Sequence, residues 1–328
     1  MLAQLGAEVL KIESPKRIDY AREAAMKIDG SSALFHMINH LKKPLMVDYQ
    51  SDEGYRQVIE HIASSDVLIE QFRPGAMDAW NLGYEKLKVD YPSLIYVSLT
   101  GYGQEGTMRG AAGHDLNYLS LSGLLGMIRD DKDKPVIPGF QLADIGSGSY
   151  MTVTAILGAL YRREKSGKGC HIDVSMTRAC TPLLQTPLAL SQSGMDPKIF
   201  NVLDGRKIVN YAVYQCADGK WISVGALEVK FWNELCDVID KGEWKRSHIL
   251  ELTVDQFPRD EVVAYFKTKN RDEWIDLLKD ADACVTPVLD LSEALESELF
   301  SEQGYMDSFQ TKSGHSLFSI GSPFTYKE

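Results

Sequence analysis

The sequence predicts an α/β protein: a Rossmann-like large domain built on a parallel sheet, plus a smaller α+β domain. Three observations carry this. Helix-then-strand units recur through the first half of the chain, and such units imply parallel strands with right-handed crossovers. The pattern changes beyond residue 200, where a hairpin precedes a run of helices. The chain is also 328 residues long, and at roughly 100–200 residues per domain that length suggests two domains.

Taken in order, MLAQLG reads as the end of a helix and a glycine turn. EVLKIE follows as a short strand, and Pro15 closes it because a proline cannot continue a buried strand. KKPLMVDYQ is a second strand candidate. Ser51 and Asp52 are placed to cap a helix that runs into DVLIEQF, a buried strand. PSLIYVSLTGYG is a further strand entering a glycine-rich loop. Parallel sheets bind ligands at the carboxyl ends of their strands, so this loop marks a site. GSGSYMTVTAILGALYRREKSGKG is a long helix whose basic last turn suits the helix dipole. Later, YAVYQCADGKWISVGA reads as an antiparallel hairpin turning at Asp218-Gly219. Two helices follow it, EVKFWNELCDVI and RDEVVAYFKTKNRDEWIDLLKDA. The expected division is 1–180 for the large domain, 181–209 for a linker, 210–298 for the small domain and 299–328 for a segment returning to the large one.

Composition excludes several classes. Lys and Arg number 35 against 46 Asp and Glu, a net charge of −11, which disfavours non-specific nucleic-acid binding. An anionic ligand would need a local basic patch. No apolar run reaches the roughly 18 residues of a membrane span, and no secretory signal opens the chain. The five cysteines form no CxxC pair and no zinc spacing with histidine, so no metal is expected. Reduced thiols of this kind point to the cytoplasm. GYGQEG is not a dinucleotide fingerprint, and KSGKG is a helix C-terminal turn rather than a phosphate loop.

Three residues stand out for chemistry. His114 precedes an apolar helix-like segment, in AAGHDLNYLSLSGLLG. Asp144 precedes the long helix, where its ordinary role is an N-cap. Open amides at that helix start could also receive a developing oxyanion. Glu228 begins a helix after a strand, where a solvated first-turn glutamate is the ordinary reading. Lys42, Lys43 and Arg73 lie at the edges of predicted strands in an acidic chain, and Arg73 follows a buried strand where a phosphate would be welcome.

These stretches resemble the family III CoA-transferases (CaiB/BaiF), and within them the α-methylacyl-CoA racemases. The resemblance rests on LGAEVLKIESP, DVLIEQFRPG, LIYVSLTGYGQEG, AGHDLNYLSLSGLLG, LADIGSGS, SGKGCHIDVSM, NVLDG, CADGKWISVGALEVKFW and DACVTPVLDLSEA, which run over most of the chain in the family's order. It implies an acyl-CoA thioester as substrate, coenzyme A as part of that substrate with no prosthetic group, and an interlocked homodimer. It makes His114 and Asp144 the two acid/base groups, with Glu228 reaching the histidine from the other subunit. Arg73, Lys42, Lys43, Val47, Gly113, Asp115 and Tyr118 become the expected CoA contacts. The activity implied is epimerisation of a 2-methylacyl-CoA by two-base proton transfer through an enolate. The alternatives are CoA transfer between carboxylic acids through an Asp144 acyl anhydride, and a non-catalytic CoA-binding remnant. Two departures are visible. The family's first strand falls ahead of Met1, so the sheet is expected to lack a central strand. Arg206 and Lys207 stand where the racemases carry small residues near the acyl pocket.

Overall fold

The computed structural model describes residues 1–24, 26–206, 208–247 and 259–327, so Lys207 lies outside the described residues. The chain divides into two compact units. One comprises residues 1–119, 140–180 and 295–328, and the other residues 120–139 and 181–294.

Five parallel strands organise the first unit: β1 (Val9–Glu13), β2 (Lys42–Met46), β3 (Val67–Glu70), β4 (Ile95–Thr100) and β5 (Cys170–Ser175). They form two ladders, β1 with β2 and β3–β4–β5 with β4 central. The central strand is the most deeply buried. Ile95 and Val97 pack with Ile156 and Ala159 of the long helix, while Tyr96 and Leu68 face Val58 and Ile62 of the Asp52–Ala63 helix. Each fully buried side chain of this size contributes about 1.5–3 kcal/mol. Pro44 is tolerated inside β2 because that strand pairs on one side only, opposite Lys11. The Asp52–Ala63 helix starts as read: Ser51 Oγ accepts the Gly54 N–H at 3.1 Å.

Glu13, at the end of β1, is 6% exposed. Arg22 holds it with Nη2 to Oε1 at 2.7 Å and Nε to Oε2 at 3.0 Å, and Lys11 Nζ adds a contact at 3.1 Å. The Arg22 hydrogen bonds lead in holding the Glu13 carboxyl down, to about 2.

The long helix begins differently from the expectation. Residues Leu142–Ser149 form a π-helical turn, and the α-helix proper runs from Tyr150 to Ser166. Gly167, at φ +66°, ends it, so the KSGKG stretch is a C-terminal turn.

In the second unit, β6 (Tyr211–Gln215), β7 (Trp221–Gly225) and β8 (Val285–Val288) form an antiparallel sheet in the order β8–β7–β6. The hairpin turns at Asp218-Gly219, with Gly219 at φ +79°. Trp232, Trp274, Phe266 and Tyr214 fill the core beneath it. The sequence reading treats 259–281 as one helix, but the chain forms two, Arg259–Phe266 and Arg271–Leu278. Asn270 opens the second with a capping box to Glu273, and a new N-cap competes with continuation of the first helix. Arg271, buried, clamps Glu293 with two bonds of 2.7 and 2.9 Å.

The segment expected as a linker is built into this second unit as helices at Thr181–Leu184, Gln185–Gln192 and Pro197–Phe200. The C-terminal hairpin, Met306–Gln310 with Ser316–Ile320, belongs to the first unit, where Phe309 stacks on His40 at 4.3 Å. Among the described residues no helix is long and apolar enough to cross a membrane.

Candidate active site

The site grows from the carboxyl end of β4. Gly103 takes φ +93°, and a Cβ there would sit 3.3 Å from the Asp173 carboxylate of β5. That carboxylate accepts the Gln104 N–H at 3.0 Å, which pins the glycine-rich loop to the sheet. Two further glycines let the returning chain approach. A Cβ on Gly101 would fall 2.4 Å from Tyr118 Cε1, and one on Gly113 only 2.6 Å from Tyr102 Oη. Tyr102 and Tyr118 meet edge-to-face at 5.3 Å. Gly113 is therefore required for close packing, and the buried Tyr118 donates its hydroxyl proton inward to the Gly113 carbonyl.

His114 stands at the mouth of the Asp115–Ser122 helix. Its carbonyl accepts the N–H groups of Asn117 and Tyr118, and its own N–H donates to Asn117 Oδ1 at 3.1 Å. The backbone is thus fixed on both sides while the imidazole is exposed. Asp115, the next residue, directs Oδ1 at the π-helical turn. It accepts the Ala143 N–H at 2.6 Å and the Asp144 N–H at 2.8 Å.

Asp144 is not an N-cap. It lies inside the π turn, and its Oδ1 is buried with no hydrogen-bond partner among the described residues. Burial is the main cause raising its pKa above the usual carboxylate range. The nearby Asp115 charge adds to the shift, and His114 opposes it. A π turn is rare and concentrates at functional sites. Gly148 makes this one possible, since a Cβ there would stand 2.7 Å from Met176 Cγ. The expected open amides at this helix start are engaged: Ala143 and Asp144 donate to Asp115, and Ile145 donates to the Gln141 carbonyl. The N–H of Asp115 itself has no acceptor among the described residues.

The remaining predicted residues divide. Arg73 is exposed past the end of β3, with no ion-pair partner among the described residues. Val47 follows β2, but its side chain belongs to the core. Lys42 and Lys43 lie at the amino end of β2, opposite to Val47. Lys43 pairs with Glu8 at 2.6 Å, and Lys42 donates to Asn39 Oδ1 at 3.0 Å, its pKa lowered by burial. Glu228, in the second unit, is exposed at a helix start and its side chain caps nothing. Sequence reasoning missed the pinning of the loop by Asp173 and the inward hydroxyl of Tyr118. An alternating polar row at a strand's carboxyl end was the available signal for Asp173. Tyr118 was expected as a CoA contact, and nothing local marked the inward bond of its hydroxyl to Gly113. Among the described residues no group of three or more His, Cys, Asp or Glu side chains is placed to hold a metal.

An exposed histidine and a half-buried aspartate with one buried, unpartnered oxygen are thus held in adjoining turns near the carboxyl end of a parallel sheet. Comparison with known proteins agrees on the lineage. The profile of CoA-transferase family III matches residues 1–328, and the chain belongs to that family. It is 33% identical over 312 residues to the alpha-methylacyl-CoA racemase of Homo sapiens, covering 93% of this chain and 76% of that protein. It is 32% identical over 304 residues to the acetyl-CoA:oxalate CoA-transferase of Acetobacter aceti, covering 90% and 77%. The crystal structure of a CAIB/BAIF family protein from Brucella suis superposes with a TM-score of 0.81 at 27% identity, over 100% of this chain and 87% of that one.

Proposed function

We propose that the protein epimerises a 2-methylacyl-CoA thioester by two-base proton transfer. Asp144 carries this reading. A carboxylate oxygen buried without a partner is held in readiness for a proton, and its raised pKa brings the carboxyl nearer to use at neutral pH. Inverting the α-carbon requires a base on one face and an acid on the other. One of the pair His114 and Asp144 removes the α-proton, and its electron pair passes into the enolate. The other delivers a proton to the opposite face. The enolate oxygen needs a fixed donor, and the Asp115 N–H, open among the described residues, lies beside His114.

Coenzyme A enters as part of the substrate, with Arg73 as its phosphate partner and no prosthetic group. A homodimer completes the site by bringing Glu228 to the partner's His114. An exposed apolar stripe of Tyr150, Leu157 and Tyr161 on the long helix, beside exposed Ile145, supports such an interface. Among the described residues Cys170, Cys180, Cys216, Cys236 and Cys284 form no disulfide, which supports a cytoplasmic setting.

CoA transfer is the second reading, and the transferases among the relatives favour it. Asp144 would then attack the thioester carbonyl, the CoA thiolate would leave, and a mixed anhydride would form. Incubation with a 2-methylacyl-CoA in deuterated water, without an acceptor acid, separates the two. Deuterium at the α-carbon supports epimerisation. Transfer of CoA only when an acid is added supports the second reading, and binding with neither reaction overturns both.

A further inference from the structure

We infer that Asp115 is a positioning residue: its Oδ1 ties the helix that follows His114 to the turn that carries Asp144. The inference rests on the acid/base reading of those two residues. Asp115 is adjacent to His114 in sequence, and its carboxylate accepts the Ala143 and Asp144 N–H groups at 2.6 and 2.8 Å. A first-turn carboxylate ordinarily faces solvent and complements its own helix dipole. This one serves a different helix. Gln141, at the N-cap position of the Leu142–Ser149 turn, makes no side-chain cap, so Asp115 supplies the cap from 28 and 29 residues away.

The arrangement matters because Asp144 has little else to aim it. Its Oδ1 accepts no hydrogen bond among the described residues, so its side-chain direction follows from the backbone that Asp115 holds. One side chain therefore sets the relative placement of two segments, and a misplacement of about 1 Å costs on the order of 10²-fold in rate. The charge of Asp115 acts as well, making Asp144 hold its proton more tightly. Of the other groups near Asp144, His114 opposes that effect, and Tyr118 is buried and neutral at physiological pH. Arg178, on the Met176–Ala179 helix packed against this turn, is exposed.

Two variants separate anchor from charge. Asp115→Asn keeps an oxygen at Oδ1 and removes the charge, whereas Asp115→Ala removes both. In Asp115→Asn, the Ala143 and Asp144 amides should stay protected from hydrogen exchange, and the Asp144 carboxyl, followed by carbon NMR, should titrate at lower pH. In Asp115→Ala, exchange at both amides should rise by about tenfold or more. α-Proton exchange should then fall by about 10²-fold in kcat, with KM for the thioester nearly unchanged. The amide and carboxyl measurements need no substrate, so they stand even if the reaction is assigned wrongly. Protected amides in Asp115→Ala would overturn the anchor, as would a rise in KM at unchanged kcat, which would make Asp115 a CoA contact. If Asp115→Ala does not fold, Asp115→Asn decides alone: protected amides with a lowered Asp144 titration support the inference, and exposed amides refute it.

Discussion

Tyr118 Oη donates to the Gly113 carbonyl at 2.6 Å, and the same ring occupies the space a side chain on residue 113 would need. The hydrogen bond and the steric exclusion together fix the chain one residue before His114. Gly113→Ala should therefore displace His114 and cost about 1–3 kcal/mol of stability through overpacking. Tyr118→Phe leaves the carbonyl without its donor and should cost about 1 kcal/mol. Thermal unfolding compares the two, and a harmless Gly113→Ala would show that the loop adapts.

His114→Ala and Asp144→Ala should each lower turnover by about 10²–10⁴-fold with CoA binding retained, because loss of one member disables a two-base pair. Calorimetric titration with CoA beside a rate assay reads both. Near wild-type rates in either variant would refute the pair.

Asp144 also links stability to pH. Its folded pKa lies above the unfolded value, chiefly through burial. Its contribution to stability is present below the unfolded pKa and is lost as pH rises through the folded pKa. Asp144→Asn has no charge to bury, so its melting temperature should gain on wild type as pH rises above about 4. A gap that narrows over that range contradicts the buried carboxylate.

Glu13 runs the other way. With its carboxyl held at about 2, chiefly by Arg22, it stabilises the fold above its unfolded pKa. That stability disappears as pH falls through about 2. Arg22→Ala should cost about 1.5–3 kcal/mol at neutral pH and progressively less in acid. Denaturant midpoints at several pH values provide the check.

Arg73→Ala should raise KM for a CoA thioester by roughly tenfold to a hundredfold with kcat little changed, since a charge-assisted contact contributes about 1.5–3 kcal/mol. A collapsed kcat at unchanged KM would move Arg73 to the chemistry. A mixture of Glu228→Gln and His114→Ala subunits tests the shared site. If the site is shared as proposed, mixed dimers would hold one site with both lesions and one intact site, so activity should recover to a fraction of wild type. Confirmed subunit exchange without recovery refutes the intersubunit pairing.

The sequence by itself determined what is local. The Ser51 cap, the strand at Val67–Glu70 and the Asp218-Gly219 turn are written in residues within a few positions of one another, and the chain forms each of them, although the strand read as buried leaves Ile69 exposed. His114 and Asp144 were legible as residue types in characteristic surroundings. The break before Asn270 was legible too, in an Asn with Glu three residues on, but helical periodicity on both sides outweighed it. Only the tertiary structure decided what depends on contacts between distant segments. The role of Asp115 requires amides 28 and 29 residues away, and the pinning of Gln104 requires a carboxylate 69 residues on. The burial that leaves Asp144 Oδ1 without a partner and raises its pKa belongs to the assembled unit. A proton affinity set by desolvation is a property of surroundings, and surroundings exist only once the chain has folded.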